Sequence, residues 1–366
     1  MKKSCFLLSL IILLLFPLLM QAQKRIWLPA KDRQVYYPNV DALFHPAPGD
    51  TLVIPTGIIS FLISNFGGTK TKPIVIIPSD SGWIGGYPPY SGNFNYINHA
   101  KFTGFHIDGK KATNFGLVGG VQCSNIEICN LVISNVSSIG LCVQQIPDST
   151  HRKGSWPGFS LENFSIHDIT VKNCGTEGLY LGYTFDVTKP LAPPLLNLRL
   201  YNILTDSTGW DGVQLSNCQN VMMYNITVKN YGLKNISGQQ AGILLGGMVT
   251  LRDIARNLLV TQGSGAGITI FGRGIMKIQN AKLTHVGTTP GQHAFYVSDY
   301  KDLGYGLPVL ELHLKDIRVD HSAGNALLIV NGNKSLRAGT ISNFTYTRTK
   351  AGIEDGFITT PRRLKD

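Results

Sequence analysis

The chain has 366 residues, of which 43% are hydrophobic and only 15% charged, with Gly 40 and Pro 18. That composition supplies a large packed core and excludes a disordered chain, while the length suits two or three average domains or one large all-β domain. A formal net charge of +11 favours partners of negative charge and argues against strongly basic ones.

The first element in chain order is an apolar run from Cys5 to Met20, preceded by Lys2 and Lys3 and followed by Gln21-Ala22-Gln23. A basic start, an apolar stretch and a small residue before a polar break predict a secretory signal peptide over residues 1–22. Pro17 and the shortness of the run argue against a membrane span, which needs about 20 residues. The expectation is a secreted or periplasmic monomer in which 23–366 form a single domain and no segment spans a membrane. Five cysteines follow, Cys123, Cys129, Cys142, Cys174 and Cys218. An odd number cannot all pair and no CxxC spacing suggests zinc, so buried thiols are expected, with room for one disulfide and no metal site.

From residue 104 onward a hexapeptide recurs at intervals of roughly 30 residues, the range of stacked repeats. Its copies are Asn130–Asn135, Asp168–Asn173, Asn202–Ser207, Asn225–Asn230, Asn257–Gln262, Asn280–His285, Asp316–His321 and Asn343–Arg348, with Gly104–Gly109 as a weaker one. Each opens and closes on a polar residue and alternates apolar with variable positions, the period of a strand buried on one face. The inward columns begin Phe105, Leu131, Ile169, Ile203 and Ile107, Ile133, Val171, Thr205. Asn125, Asn163, Asn197 and Asn220 stand five residues before the hexapeptides, where Asn suits a left-handed turn. A second strand follows each hexapeptide and opens on Gly or Ala: Gly140-Leu141, Gly178-Leu179, Gly212-Val213, Gly242-Ile243, Gly267-Ile268, Ala294-Phe295, Ala326-Leu327 and Gly356-Phe357. Two short strands per repeat bury a core only by stacking, so the predicted fold is all-β, a single parallel β-helix of about ten coils. Residues 24–48 and 349–366 are expected to cap its ends, because open strand edges invite aggregation.

These repeats, with the opening Gly49-Asp50-Thr51-Leu52-Val53-Ile54-Pro55, Gly67-Gly68-Thr69 and Pro73-Ile74-Val75-Ile76, resemble the right-handed parallel β-helix superfamily of the pectate-lyase type over roughly residues 40–360. The resemblance implies that fold, its right-handedness and an association with polysaccharides; it does not name a reaction.

Insertions in repeat proteins emerge on one face and often bind there. Gln144–Ser160, Tyr183–Leu196 and Ser298–Pro308 leave after second strands and are expected to form one wall, with Tyr231–Gln239 opposite. The first carries His151, Arg152, Lys153 and Trp156 and the third Tyr300, Lys301 and Tyr305, groups that suit an acidic sugar polymer, although long loops also tolerate such residues without a role.

The column just before the second strand reads Ile139, Glu177, Asp211, Ala241, Ala266, His293, Asn325 and Asp355. Glu177 and Asp211 fall on consecutive coils, about 4.8 Å apart in backbone. Two such carboxyls resist joint ionisation, which divides them into a proton donor and a base, the requirement of glycosidic cleavage. Acids before Gly also make simple turns, the bland alternative. The placement is similar to that of acids in the polygalacturonase family, whose Asn-Thr-Asp, Asp-Asp, Gly-His-Gly and Arg-Ile-Lys motifs are absent here. Around the pair, Tyr180, Gln214, Leu244, Thr269 and Tyr296 are expected to face outward, Tyr183 and Trp210 to flank, and Gln240, Arg273 and His293 to complete a substrate groove. A hydrolase so built needs no cofactor. A lyase is the rival, with calcium held by Glu177, Asp211 and Asp206 and with Arg273 or Lys229 as base, although Asp206 also aligns with Lys172 and Lys229 in a structural charge ladder. A non-catalytic glycan-binding or surface protein is the third reading. The positive charge is spread without a basic run, which makes nucleic acid a poor partner.

Overall fold

The computed structural model describes residues 23–145, 161–183, 193–251, 254–299, 309–331 and 336–355. The expected signal segment and residues 146–160, 184–192 and 300–308 of the three insertions lie outside them, as do His151, Arg152, Lys153, Trp156, Tyr300, Lys301 and Tyr305. Among the described residues no helix is long and apolar enough to cross a membrane.

Successive strands pair in parallel with the strand one coil later. Ser124–Val136 pairs with Leu161–Cys174, which pairs with Arg199–Thr208, then Met222–Tyr231, Ala255–Gly263 and Ile268–Thr284. A second series runs Leu141–Val143, Leu179–Gly182, Val213–Ser216, Ile243–Met248, Ile268–Thr284 and Phe295–Asp299. Parallel strands in one sheet are joined by right-handed crossovers for steric reasons. The protein is a right-handed parallel β-helix.

The predicted hexapeptides are bounded by corners. Their opening residues all hold left-handed backbone, with φ of 53° at Asn130, 55° at Asp168, 54° at Asn202 and 56° at Asn225, and so do their closing residues, from Asn135 at 54° to Arg348 at 51°. Asn tolerates this conformation better than other side-chain-bearing residues, and its amide then bonds the next coil. Asn225 donates to Asn202 at 3.0 Å and accepts from Asn257 at 2.9 Å, and Asn280 continues the ladder onto Asn257 at 2.8 Å. A parallel ladder climbs Asn125, Asn163, Asn197 and Asn220.

Between those two ladders the chain is itself a strand. Ile126-Glu127-Ile128-Cys129 pairs with Phe164-Ser165-Ile166-His167. Each such coil thus has three strand segments rather than the two expected, because the segment before the corner is short and its outer positions vary. All residues of the first inward column are buried, from Phe105 to Phe344, within one continuous apolar core. The second column is buried through Val319, with Thr205 its one polar member. The five cysteines are free and buried, so the disulfide is not formed.

Strand pairing extends into both end regions. Arg25–Trp27 and Gln34–Tyr37 already pair in parallel with Thr51–Ile54 and Ser60–Gly67, and a short helix, Val40–Phe44, follows them. At the other end Thr349 and Ala351 pair with Ser322 and Asn325, so 349–355 is a further rung, and 356–366 lies outside the described residues. The register places Gly352-Ile353, not Gly356-Phe357, opposite Ala326-Leu327. Asp355 pairs with Ile329 and therefore leaves the Glu177 column.

Candidate functional site

The bend before the second strand is built by close approach of coils. Gly140 N donates to the carbonyl of Glu177 at 3.1 Å, Gly178 N to Asp211 at 3.0 Å and Gly212 N to Ala241 at 3.0 Å. A Cβ on Gly212 would stand 2.2 Å from Val228 Cγ1 and 2.7 Å from the Gly242 carbonyl, which explains the glycine. The residue before it is the first that can carry a long side chain. Ile139, Glu177, Asp211, Ala241 and Ala266 therefore form one vertical column, and its apolar members are buried without joining the continuous core.

Glu177 and Asp211 stand side by side as expected, but they are buried, at 3% and 0% exposure, rather than open in a groove. Asp211 Oδ1 accepts from Ala241 N at 2.6 Å. Asp211 Oδ2 and Glu177 Oε2 are buried with no hydrogen-bond partner among the described residues. Burial raises the pKa of Glu177, opposed by hydrogen bonds from the Thr176 hydroxyl and the Glu177 N–H. Burial raises Asp211 well above the usual carboxylate range, and the neighbouring Glu177 adds to the shift. Loss of water penalises the charged form, so this pair favours a bound proton. Two neighbours escaped the sequence reading. Cys142, in register with Tyr180, feels Glu177, and the buried Tyr231, whose hydroxyl donates to Gly265 O at 3.1 Å, feels Asp211. Cys142 was legible as a member of the outward column; Tyr231 was visible only as the start of an insertion.

The outward column is in register as predicted: Tyr180, Gln214, Leu244, Thr269 and Tyr296 pair in turn. Tyr180, Tyr183 and Trp210 are half-buried, and Gln214 is buried with its amide donating to Ser216 Oγ at 3.1 Å. Gln240 is buried one coil further on, its Oε1 accepting from Ser264 Oγ at 3.3 Å. Trp210, Tyr180 and Gln214 thus lie on the rungs of the two acids. His293 does not: it stands three rungs beyond Asp211, about 14 Å at ordinary strand spacing. Its Nδ1 accepts from Asn325 N at 3.1 Å and its ring stacks on Tyr296 at 6.0 Å, while burial lowers its pKa against the pull of Glu354. Arg273 is half-buried on the Ala266 rung, four residues past Thr269 and away from the acids. Asp206 belongs to a corner, accepting from Asn230 Nδ2 at 2.8 Å and Ser207 Oγ at 3.0 Å, in register between Lys172 and Lys229. His321 stacks on His285 at 4.9 Å. The Tyr231–Gln239 insertion projects Leu233 and Ile236 into solvent and lines an open pocket of about 560 Å³ together with Ser264, His285 and Thr288.

The sequence matches no family model and no curated protein. Among solved structures the chain is similar to a GH136 lacto-N-biosidase from Eubacterium ramulus, at TM-score 0.52 and 12% identity over 85% of this chain and 62% of that one. An alginate lyase from Paenibacillus sp. aligns over 88% of this chain and 98% of its own, at TM-score 0.49 and 13% identity. The A-module of a mannuronan C-5 epimerase from Azotobacter vinelandii aligns over 91% and 89%, at TM-score 0.48 and 12% identity. At these identities the likeness is one of fold.

Proposed function

We propose that this protein is an exported, carbohydrate-active β-helix enzyme, a glycoside hydrolase that cleaves a uronate-containing polysaccharide with Glu177 and Asp211 as its acid and base. The observation that carries the reading is the pair itself: carboxyls on consecutive rungs, held toward the protonated form by burial, each with one buried oxygen lacking a partner among the described residues. Perturbed carboxyls of this kind are the raw material of proton transfer at neutral pH. Asp211, the more completely buried of the two, is the proton donor; Glu177, once ionised, is the base. Both are buried, so the reaction requires the outer face over these rungs to open to the polymer. The net charge of +11 supports an acidic substrate. The lacto-N-biosidase that shares the fold is consistent with a carbohydrate as partner.

Elimination is less well supported. A calcium-assisted lyase needs ionised oxygens converging on the cation, whereas this environment favours neutral carboxyls, and Asp206 and Lys229 belong to a corner ladder instead. The test is turnover of a panel of uronate-containing polymers by the purified protein. New reducing ends without an unsaturated, ultraviolet-absorbing product identify hydrolysis; that product identifies elimination. Turnover undiminished in both Glu177→Gln and Asp211→Asn rejects the site, and inactivity on every polymer favours a binding protein.

A further inference from the structure

A separate cluster lies on the outer face of the strand segment between the two Asn ladders. Glu127 and Cys129 are two residues apart on Ser124–Val136 and so share a face, and Cys129 is in register with His167 on the next coil. Cys129 Sγ is 3.5 Å from Glu127 Oε1, and His167 Nε2 is 3.2 Å from the same oxygen. Bonds of about 2.3 Å to sulfur and about 2.0–2.1 Å to nitrogen and oxygen place tetrahedral ligand atoms about 3.3–3.5 Å apart. The carboxylate oxygen already stands at that spacing from both the thiol and the imidazole, and the three ligand atoms all lie within 4.8 Å of one another.

His167 Nδ1 is 2.7 Å from Asp168 Oδ2, the carboxylate–histidine arrangement that directs Nε2 toward a metal. The ladder position that Asp168 occupies is Asn in the adjoining coils, at Asn130, Asn202 and Asn225, so the carboxylate is not demanded by the corner. Asp168 nonetheless keeps its ladder bond, accepting from Asn202 Nδ2 at 2.9 Å. The imidazole is also fixed in plane by Tyr201, stacked at 4.5 Å and 5°. Lys101 Nζ sits 2.7 Å from Glu127 Oε1, a monovalent cation where the cluster presents its negative charge. Thr103 Oγ1, at 3.4 Å, and the Asn130 amide, at 3.6 Å, complete the surroundings of the sulfur.

From this geometry we infer that Glu127, Cys129 and His167 form a binding site for a borderline-soft divalent transition metal, zinc above all, with Asp168 as a positioning residue and a fourth ligand position left to water. The ligand set of thiolate, imidazole and carboxylate selects zinc or cobalt over calcium. On binding, the metal displaces the Cys129 thiol proton to solvent and the Lys101 ammonium from Oε1. The site is independent of the Glu177–Asp211 reading and survives its failure.

The full chain, freed of metal by chelation, is titrated with Zn²⁺ and, for spectroscopy, with Co²⁺. One equivalent is expected to bind, with proton release and, for cobalt, a thiolate-to-metal charge-transfer band. The other thiols are poor competitors, since burial pushes Cys123, Cys174 and Cys218 up to about 12. Cys129→Ser is expected to abolish the band. His167→Gln weakens binding at least about tenfold, and Asp168→Asn, which restores the usual ladder residue, weakens it about tenfold with the thermal midpoint of the metal-free protein unchanged. Lys101→Gln tightens binding by removing the competing cation. A cobalt complex lacking the thiolate band, or affinity unchanged in both Cys129→Ser and His167→Gln, overturns the site; the wild-type spectrum decides the matter even if a variant misfolds.

Discussion

At the corners of the helix Asn225 donates one amide bond to the coil below and accepts one from the coil above. At the bend before the second strand, Asp211 is stacked just as regularly between Glu177 and Ala241, yet it keeps an oxygen with no partner among the described residues. The corner column closes its own hydrogen bonds, so repetition accounts for it. The bend column is apolar on either side of the two acids, at Ile139 and at Ala241 and Ala266, and becomes polar again only further along, at His293 and Asn325. A buried unsatisfied polar group costs about 1–3 kcal/mol. A fold that keeps two on adjacent rungs retains them at the expense of stability, as sites of chemistry do.

The strongest way to break this contrast is at the acids. Glu177→Gln and Asp211→Asn are each expected to lower polymer turnover about 10²–10⁴-fold with the circular dichroism spectrum unchanged, the loss typical of a proton-transfer group. The opposite result is expected at the ladder. Asn225→Ala loses two amide bonds of about 1 kcal/mol each and puts Ala in left-handed backbone for about 1 kcal/mol more. Denaturant unfolding should show a loss of about 2–3 kcal/mol, partly recovered in Asn225→Gly, with activity retained at temperatures where the fold holds.

Gly212→Ala joins the two kinds of effect. Its methyl meets Val228 and the Gly242 carbonyl, so a loss of about 1–3 kcal/mol is expected, with reduced turnover because Asp211 is displaced.

The smallest effect is one of pH. Folding raises the pKa of both acids, so the folded chain keeps protons that the unfolded chain has already released. Their contribution therefore makes stability fall as pH rises from the unfolded carboxyl value of about 4 through the folded values. Asp211→Asn removes part of that fall. Its thermal midpoint should rise above that of the unsubstituted chain increasingly as the pH is raised from about 4, and a difference independent of pH would deny the buried proton.

Much of the fold was legible because it depends on neighbours in sequence. The alternation in Asn202–Ser207 and the polar residues at both its ends encode a strand between two left-handed corners, and the count from corner to Gly placed Glu177 opposite Asp211. The strand segment Ile126–Cys129 was missed because it is brief and its outer positions, Glu127, Ser165 and Arg199, share no pattern. Asp355 was misplaced because the register slips between Ser322 and Asn325, an irregularity no spacing rule reveals. The cluster of Glu127, Cys129 and His167 was invisible to motif reading because His167 lies 40 residues from Glu127 and meets it only across a coil.

By itself, then, the chain's short-range order determined the solenoid, its corners and the adjacency of the two acids, since period, left-handed turns and repeat length are properties of contiguous residues. Only the tertiary structure decided that those acids are buried rather than exposed, that they favour a proton, and that His167 comes to rest against Glu127 and Cys129. Protonation follows from the water a group loses, and that loss is set by coils and side chains far away in sequence.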